Sequence, residues 1–352
     1  FDVVLGNTES IAENLISTGG IVTLNASASL NGAITISGSS TTFQQPVSGN
    51  GQNLDISGSA TFQQNGTNFG QLSISEDLIV QNVLLQVAAP LIIQSGFNAQ
   101  LSGTVDAPVI GQAGSAITAT GNLSLGDNSS AGFATAGNLF VNGFNVTLRD
   151  ADAVQLGSLT VLDDTGVLSS INGFELSSGD VIEGSGQVVG PLAAQNGSTI
   201  APGLNDGILQ TDSVAFSAGV ALQVGLDDTV PGTGHDQLAV NGTVNLDGAT
   251  LDATLRSASQ SADEFVIVAN DGTDPIVGTF AGLPEGASLD IDIFNGEFVE
   301  GSERFVISYA RGDGNDVTVE VWVVISHPRG CESNDPERRK RSMIPFSASA
   351  AM

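Results

Sequence analysis

Residues 22–36 read VTLNASASLNGAITI. The even positions Val22, Leu24, Ala26, Ala28, Leu30, Gly32, Ile34 and Ile36 are apolar or small. The odd positions Thr23, Asn25, Ser27, Ser29, Asn31 and Thr35 are short and polar, with Ala33 the one exception. Successive side chains of an extended strand point to opposite faces, so this alternation is that of a strand with one face in a core and the other in water. The same phase returns at Leu54, Ile56, Gly58, Ala60 and Phe62, with Asp55, Ser57, Ser59 and Thr61 opposite. It returns at Val220, Leu222, Val224 and Leu226, at Leu238, Val240, Gly242, Val244 and Leu246, and finally at Val317, Val319 and Val321.

Between these runs stand Asn31-Gly32, Asn50-Gly51, Asn65-Gly66, Asn142-Gly143, Asn172-Gly173, Asn196-Gly197, Asn241-Gly242 and Asp271-Gly272. Glycine reaches positive φ at no steric cost and Asn tolerates it, so these pairs mark sharp changes of direction. They read as corners between the faces of a solenoid or as hairpin turns, for which Asn-Gly is strongly favoured. The short strands, an apparent spacing of about 20 residues and the small aliphatic inward residues favour a right-handed parallel β-solenoid. An antiparallel β-sandwich array is the alternative. A short amphipathic helix is expected over Thr8–Ser17, with Glu9 and Glu13 in its first turns and Ile11, Leu15 and Ile16 on one side; it would cap the first rung. Four segments follow: an N-terminal cap over 1–20, solenoid repeats over 21–203, a β-rich region richer in Asp and Glu over 204–325, and a tail over 326–352. The tail is basic and non-periodic and holds Cys331, Lys340 and both methionines, and is expected to be disordered and foreign to the fold.

Composition narrows the function. Of 352 residues 41% are hydrophobic but only 5% aromatic, so the core is built of Val, Ile, Leu and Ala in thin layers. The net charge of −29 comes from a shortage of bases: nine Lys and Arg in all, of which Arg149, Arg256, Arg304 and Arg311 precede the tail. Such a chain has little with which to neutralise phosphates, which argues against nucleic acid and anionic membranes as partners. A single cysteine gives no disulfide framework, and no apolar run is long enough to span a bilayer as a helix. The chain opens at Phe1 and is taken as a mature form or a fragment.

Residues 132–190, GFATAGNLFVNGFNVTLRDADAVQLGSLTVLDDTGVLSSINGFELSSGDVIEGSGQVVG, with GSTIAPG at 197–203, resemble the passenger regions of bacterial autotransporter-associated β-strand repeat proteins and related large secreted proteins. The likeness continues in PGTGHDQLAVNGTVNLDGATLDATL, NDGTDPIVGTFAGLPEGA and FVISYARGDGNDVTVEV, and covers roughly residues 20–322. It implies a right-handed β-helix displayed outside the cell with a structural or adhesive role. The outward ladder of Thr, Ser, Asn and Asp suits weak contacts with glycans or surface proteins, and without a catalytic constellation no catalytic activity is expected.

Candidate chemistry is sparse. Acid pairs stand at Asp150/Asp152, Asp163/Asp164, Asp227/Asp228 and Asp290/Asp292. Paired carboxylates can serve as acid and nucleophile in glycoside hydrolysis, so a polysaccharide-cleaving β-helix is the second functional reading. Asp also marks turns and outward strand positions, and Asp252, Asp290 and Asp292 alternate with Leu251, Leu289 and Ile291 as that requires. Arg149 beside Asp150 reads as a surface ion pair. His235, in GTGHDQL, has no Ser or Cys partner in a motif, and two His with one Cys give no zinc spacing. Gly312-Asp313-Gly314-Asn315-Asp316 partly matches a glycine–aspartate calcium repeat, which makes Asp313, Asn315 and Asp316 the candidate metal ligands; it also reads as a tight turn before Val317. No other cofactor is expected.

Overall fold

The computed structural model describes residues 3–6, 9–17, 19–163, 165–260, 262–272, 274–294, 299–312 and 314–322. They form a parallel β-solenoid, all-β among the described residues, with no helix. One inward column shows the repeat. Val22, Thr41, Ala60, Leu78, Ala99, Ile117, Leu139, Thr160, Ile182, Ile200, Leu222 and Leu251 are register partners on successive rungs, about 20 residues apart until the last, longer turn. From Val22 to Leu222 every one of these side chains is buried. Strands stack about 4.8 Å apart in the hydrogen-bonding direction, so each side chain rests on the one below it. The alternation read from 22–36 is therefore the inside and outside of a coil.

From residue 91 onward each turn has three sides. Leu159–Leu162, Val167–Ser169 and Phe174–Leu176 make one turn, and Val181–Gly184, Gln187–Val189 and Leu192–Ala194 lie on it, each parallel to its counterpart. The third side forms its own eight-stranded sheet, from Leu91–Ile93 to Val244–Asn245. The ladders run through residue 203 without a break, since Thr199–Pro202 pairs with Ala221–Leu226 and Ile208–Thr211 with Gln237–Val240.

Among the described residues the Asn-Gly pairs at 31, 50, 65, 142, 172, 196 and 241 are corners, and no hairpin forms at them. Asn and Asp side chains also mend the ladder where it bends: Asn14, Asn65, Asp77 and Asn122 accept hydrogen bonds through Oδ1 from the backbone N–H of Thr35, Leu84, Asn98 and Asn145 on the next rung, at 2.8–3.1 Å. A backbone donor at a corner would otherwise lie unpaired, which explains the preference for these short acceptors.

The expected helix over Thr8–Ser17 is not formed. Thr8 lies outside the described residues; Glu9–Ile11 and Leu15–Ile16 are strands, registered Ile11 on Leu30 and Leu15 on Ile36. Ile11, Leu15 and Ile16 share a helical face only if the chain coils locally. Laid along an existing sheet edge, the same segment satisfies its backbone groups on the rung beneath and still buries Ile11.

Among the described strands, antiparallel ladders form at the other end. Glu264–Asn270 is parallel to Gln237–Val240 and antiparallel to Asp316–Val321. Ser288–Phe294 is parallel to Thr250–Leu255 and antiparallel to Val299–Arg311, which pairs in turn with Asp316–Val321. These strands close over the last rung and bury Phe265, Phe280 and Phe305. Tyr309 fastens the closure: its hydroxyl donates to the Leu283 carbonyl at 2.6 Å and accepts from the Phe280 N–H at 3.0 Å. Burial pushes that phenol up to about 12. Among the described residues no helix is long and apolar enough to cross a membrane. The tail at 326–352 lies outside the described residues.

Candidate functional site

An open cleft of about 430 Å³ lies on one outer face, near the C-terminal end of the stack. Its wall is an outward column. Glu183 is the register partner of Ala201, and Gln223, one residue past the Ile200–Leu222 pair, is the partner of Asp252. Gln223 Nε2 donates to Asp252 Oδ2 at 3.0 Å. At a rung spacing of about 4.8 Å, Glu183 and Asp252 stand about 14 Å apart along the column, beyond the 5–9.5 Å that carboxylate pairs span in glycoside hydrolases.

The floor is built around Asp236, which is buried. Its Oδ1 accepts from the Gly207 N–H at 3.1 Å and its Oδ2 from the Gly225 N–H at 2.7 Å. Arg256 Nη2 lies 3.6 Å from Oδ2, while the same guanidinium holds Asp206 and the Asn205 carbonyl. The glycines are there for room: a Cβ on Gly203 would overlap the Asp236 carboxylate, and one on Gly225 would overlap the Arg256 guanidinium. Burial pushes the Asp236 carboxyl up to about 6, because desolvation outweighs the Gly225 N–H and Arg256, which favour the charged form. Both carboxylate oxygens are occupied by backbone donors, so Asp236 ties the 203–207 loop to the stack.

No protein-family model and no curated protein matches this chain. The reading of the cleft therefore rests on its own geometry.

The acid pairs singled out in the sequence do not converge. Arg149 turns away from Asp150 and donates to Asp106 Oδ1 and the Val105 carbonyl, both at 3.2 Å. Asp150 is buried and accepts from the Phe133 and Asp152 N–H groups, both at 2.9 Å. Asp163 is an exposed corner residue, and Asp164 lies outside the described residues. Asp227 accepts from Ser257 Oγ at 2.7 Å, and Asp228 caps the Thr229 N–H at 2.6 Å. Asp290 forms a two-pronged ion pair with Arg304 at 2.8 and 3.0 Å on the exposed closing hairpin, and Asp292 is exposed beside it. The Arg304 guanidinium holds the Asp290 carboxyl below its usual range.

His235 is fully buried, with Nδ1 2.9 Å from the Asp228 carbonyl, Nε2 3.3 Å from the Val266 carbonyl and its ring edge-on to Phe265. It is a packing residue directly behind the cleft floor. Of the calcium candidates, Asp313 lies outside the described residues. Asn315 Nδ2 donates to the Asp274 carbonyl at 2.9 Å, and Asp316 Oδ1 accepts from the Asn270 N–H at 2.9 Å. Both link the last hairpin to the 270–274 loop. Among the described residues no group of three or more His, Cys, Asp or Glu is placed to hold a metal ion.

Arg256, Asp236, Gln223 and Glu183 line this cleft, and no motif announced them. The signal present was the scarcity of bases: Arg256 is one of four before the tail, and a lone cation in so acidic a chain marks where carboxylates gather.

Proposed function

We propose that this protein is a non-catalytic, exported surface protein: a right-handed, passenger-type β-helix with a structural and adhesive role. The right hand follows the general rule for crossovers between parallel strands. The observation that carries the reading is the outward column Thr23, Thr42, Thr61, then Gln100 and Thr118, ending in Glu183, Gln223 and Asp252. The same column carries Ile79, Phe140, Val161 and Ala201 between these polar rungs, and such a mixture of hydrogen-bonding groups and apolar surface suits many weak simultaneous contacts with a glycan or a surface protein. The acid-lined cleft at its end favours a neutral or amine-bearing saccharide over a uronate polymer, which it would repel.

The test is binding of the intact chain to immobilised neutral, amino-sugar and uronate polymers, alongside a variant carrying Glu183→Gln and Asp252→Asn. Binding to the first two classes that weakens severalfold in the variant is expected. Equal binding to uronates, or none to any class, overturns the ligand assignment. Antibody labelling of intact source cells tests export, and labelling that appears only after permeabilisation sinks it.

A second reading, cleavage of a polysaccharide, is favoured by one observation: a carboxyl that titrates near 6 on the cleft floor. New chain ends released from any of the same polymers, and lost in Asp236→Asn, would establish it. Calcium at Asn315 and Asp316 draws support from the buried Asn270 and Asn315 Oδ1 atoms, which lack a hydrogen-bond partner. A melting temperature raised by calcium and restored by chelator would support that site; an unchanged curve removes it.

A further inference from the structure

Seven Asn-Gly pairs among the described residues lie at corners of the same coil, while an eighth, Asn295-Gly296, lies outside them; the structure does not treat the seven alike. An asparagine side chain followed by glycine is attacked at Cγ by the glycine backbone nitrogen. That nitrogen gives its proton to solvent, the bond from Cγ to the amide nitrogen breaks, and ammonia leaves. The resulting five-membered imide is opened by water to aspartate or to its β-linked isomer. Glycine permits this because it has no Cβ to block the approach. Two conditions must hold: the Asn side chain must be free to rotate, and the glycine N–H must not be held by a carbonyl.

Five pairs fail one condition or both. Asn50 donates to the Leu30 carbonyl at 3.0 Å, and Gly51 N–H is held by the Asn68 carbonyl at 2.6 Å. Asn172 donates to the Asp150 and Ala151 carbonyls, both at 3.0 Å, and Gly173 N–H to Ser170 at 3.2 Å. Asn65 accepts from the Leu84 N–H at 3.0 Å, and Asn142 donates to the Ala119 carbonyl at 2.7 Å. At Asn196 the side chain makes no hydrogen bond to the described residues, but Gly197 N–H is bonded to the Gly219 carbonyl at 3.1 Å.

Asn31-Gly32 and Asn241-Gly242 satisfy both conditions. Both asparagines are exposed and hold the stack only through their own backbone N–H, at 2.8 Å to Ile11 and 2.9 Å to Thr211. Neither side chain, and neither following glycine N–H, has a hydrogen bond among the described residues. We propose that Asn31 and Asn241 are sites of spontaneous deamidation in the folded protein, and that the other five pairs are protected by the corner hydrogen bonds that complete the solenoid. Each event adds a negative charge, and the β-linked product also adds a backbone methylene at a corner.

The experiment is to hold the full chain at mildly alkaline pH and 37 °C, natively and in parallel in concentrated urea, and to follow each pair by peptide mass mapping for the gain of one mass unit. In the native sample Asn31 and Asn241 should convert severalfold faster than Asn50, Asn65, Asn142, Asn172 and Asn196, and in urea the seven rates should converge. Equal native rates, or a native lead by any of the five, overturn the proposal. So does a ranking that survives in urea, because neighbouring sequence would then set it. With Asn295 replaced by Gln throughout to remove the pair outside the described residues, the double variant Asn31→Gln, Asn241→Gln should lose the early acidic species on ion exchange, and their persistence would equally refute the proposal.

Discussion

Thr41, Thr160 and Thr211 stand in the inward columns, fully buried, and their hydroxyls have no hydrogen-bond partner. Their register neighbours are aliphatic: Val22 and Ala60, Leu139 and Ile182, Val188 and Val240. A buried hydroxyl left unpaired costs about 1–3 kcal/mol. Valine has the same branched shape, so Thr→Val at each site is expected to stabilise by about 1 kcal/mol, read as a higher denaturant midpoint at unchanged slope. Gly184 behaves in the opposite way. Its φ is +119°, and a Cβ there would overlap the Leu162 carbonyl on the rung below. Gly184→Ala should lower the midpoint by more than about 2 kcal/mol equivalent, combining φ strain with a displaced ladder. Asp236 gives a pH signature. Its carboxyl titrates near 6 in the fold and near 3.8 in the unfolded chain, so the fold holds the proton more tightly. The stability it contributes is fully present below 3.8 and is lost as pH rises to about 6. The melting temperature of wild type relative to Asp236→Asn should therefore fall across that window, and a difference that rises or stays flat would contradict the placement of Asp236.

The closing strands decide how the stack ends. Without Ser288–Phe294, Val299–Arg311 and Asp316–Val321, the strands Thr250–Leu255 and Glu264–Asn270 would present unpaired edges, and Phe265 and Phe280 would lose their cover. Tyr309→Phe removes the hydroxyl that joins the Leu283 carbonyl to the Phe280 N–H and leaves both groups without it. A loss of about 1–2 kcal/mol is expected, with amide exchange accelerating first at residues 280–283. The exposed Asp290–Arg304 pair is on the same hairpin, yet replacing it with Asn and Gln should change the melting point little, because water and salt screen an exposed pair. Sequence was least informative at this scale. The run over residues 9–16 is compatible with a helix and with two strands, and only the rung beneath it, Ala28–Leu30 and Ile34–Ser37, selects strands.

At the scale of the molecule, a net charge of −29 spread along a narrow coil repels itself. Raising ionic strength from about 10 mM to about 150 mM shortens the screening length from about 30 Å to about 8 Å and should raise the melting temperature. A fall would show that the carboxylates are compensated in ways the four bases before the tail do not explain.

The alternation of Val22–Ile36 and its repeats determined the all-β class, the inward residues and the outward ones, because side-chain direction along a strand has a period of two wherever the strand lies. The same period is silent on the partner. Parallel stacking, the three sides, the strands over residues 9–16 and the closing hairpins are set by which distant backbone groups can pair, and that is decided when the rungs meet. The cleft follows the same division. Asp252 was legible as an outward residue, but its placement on one column with Glu183, with Asp236 buried between two glycine N–H groups and Arg256 across it, depends on pairings between residues 11 to 29 apart and exists only in the folded chain.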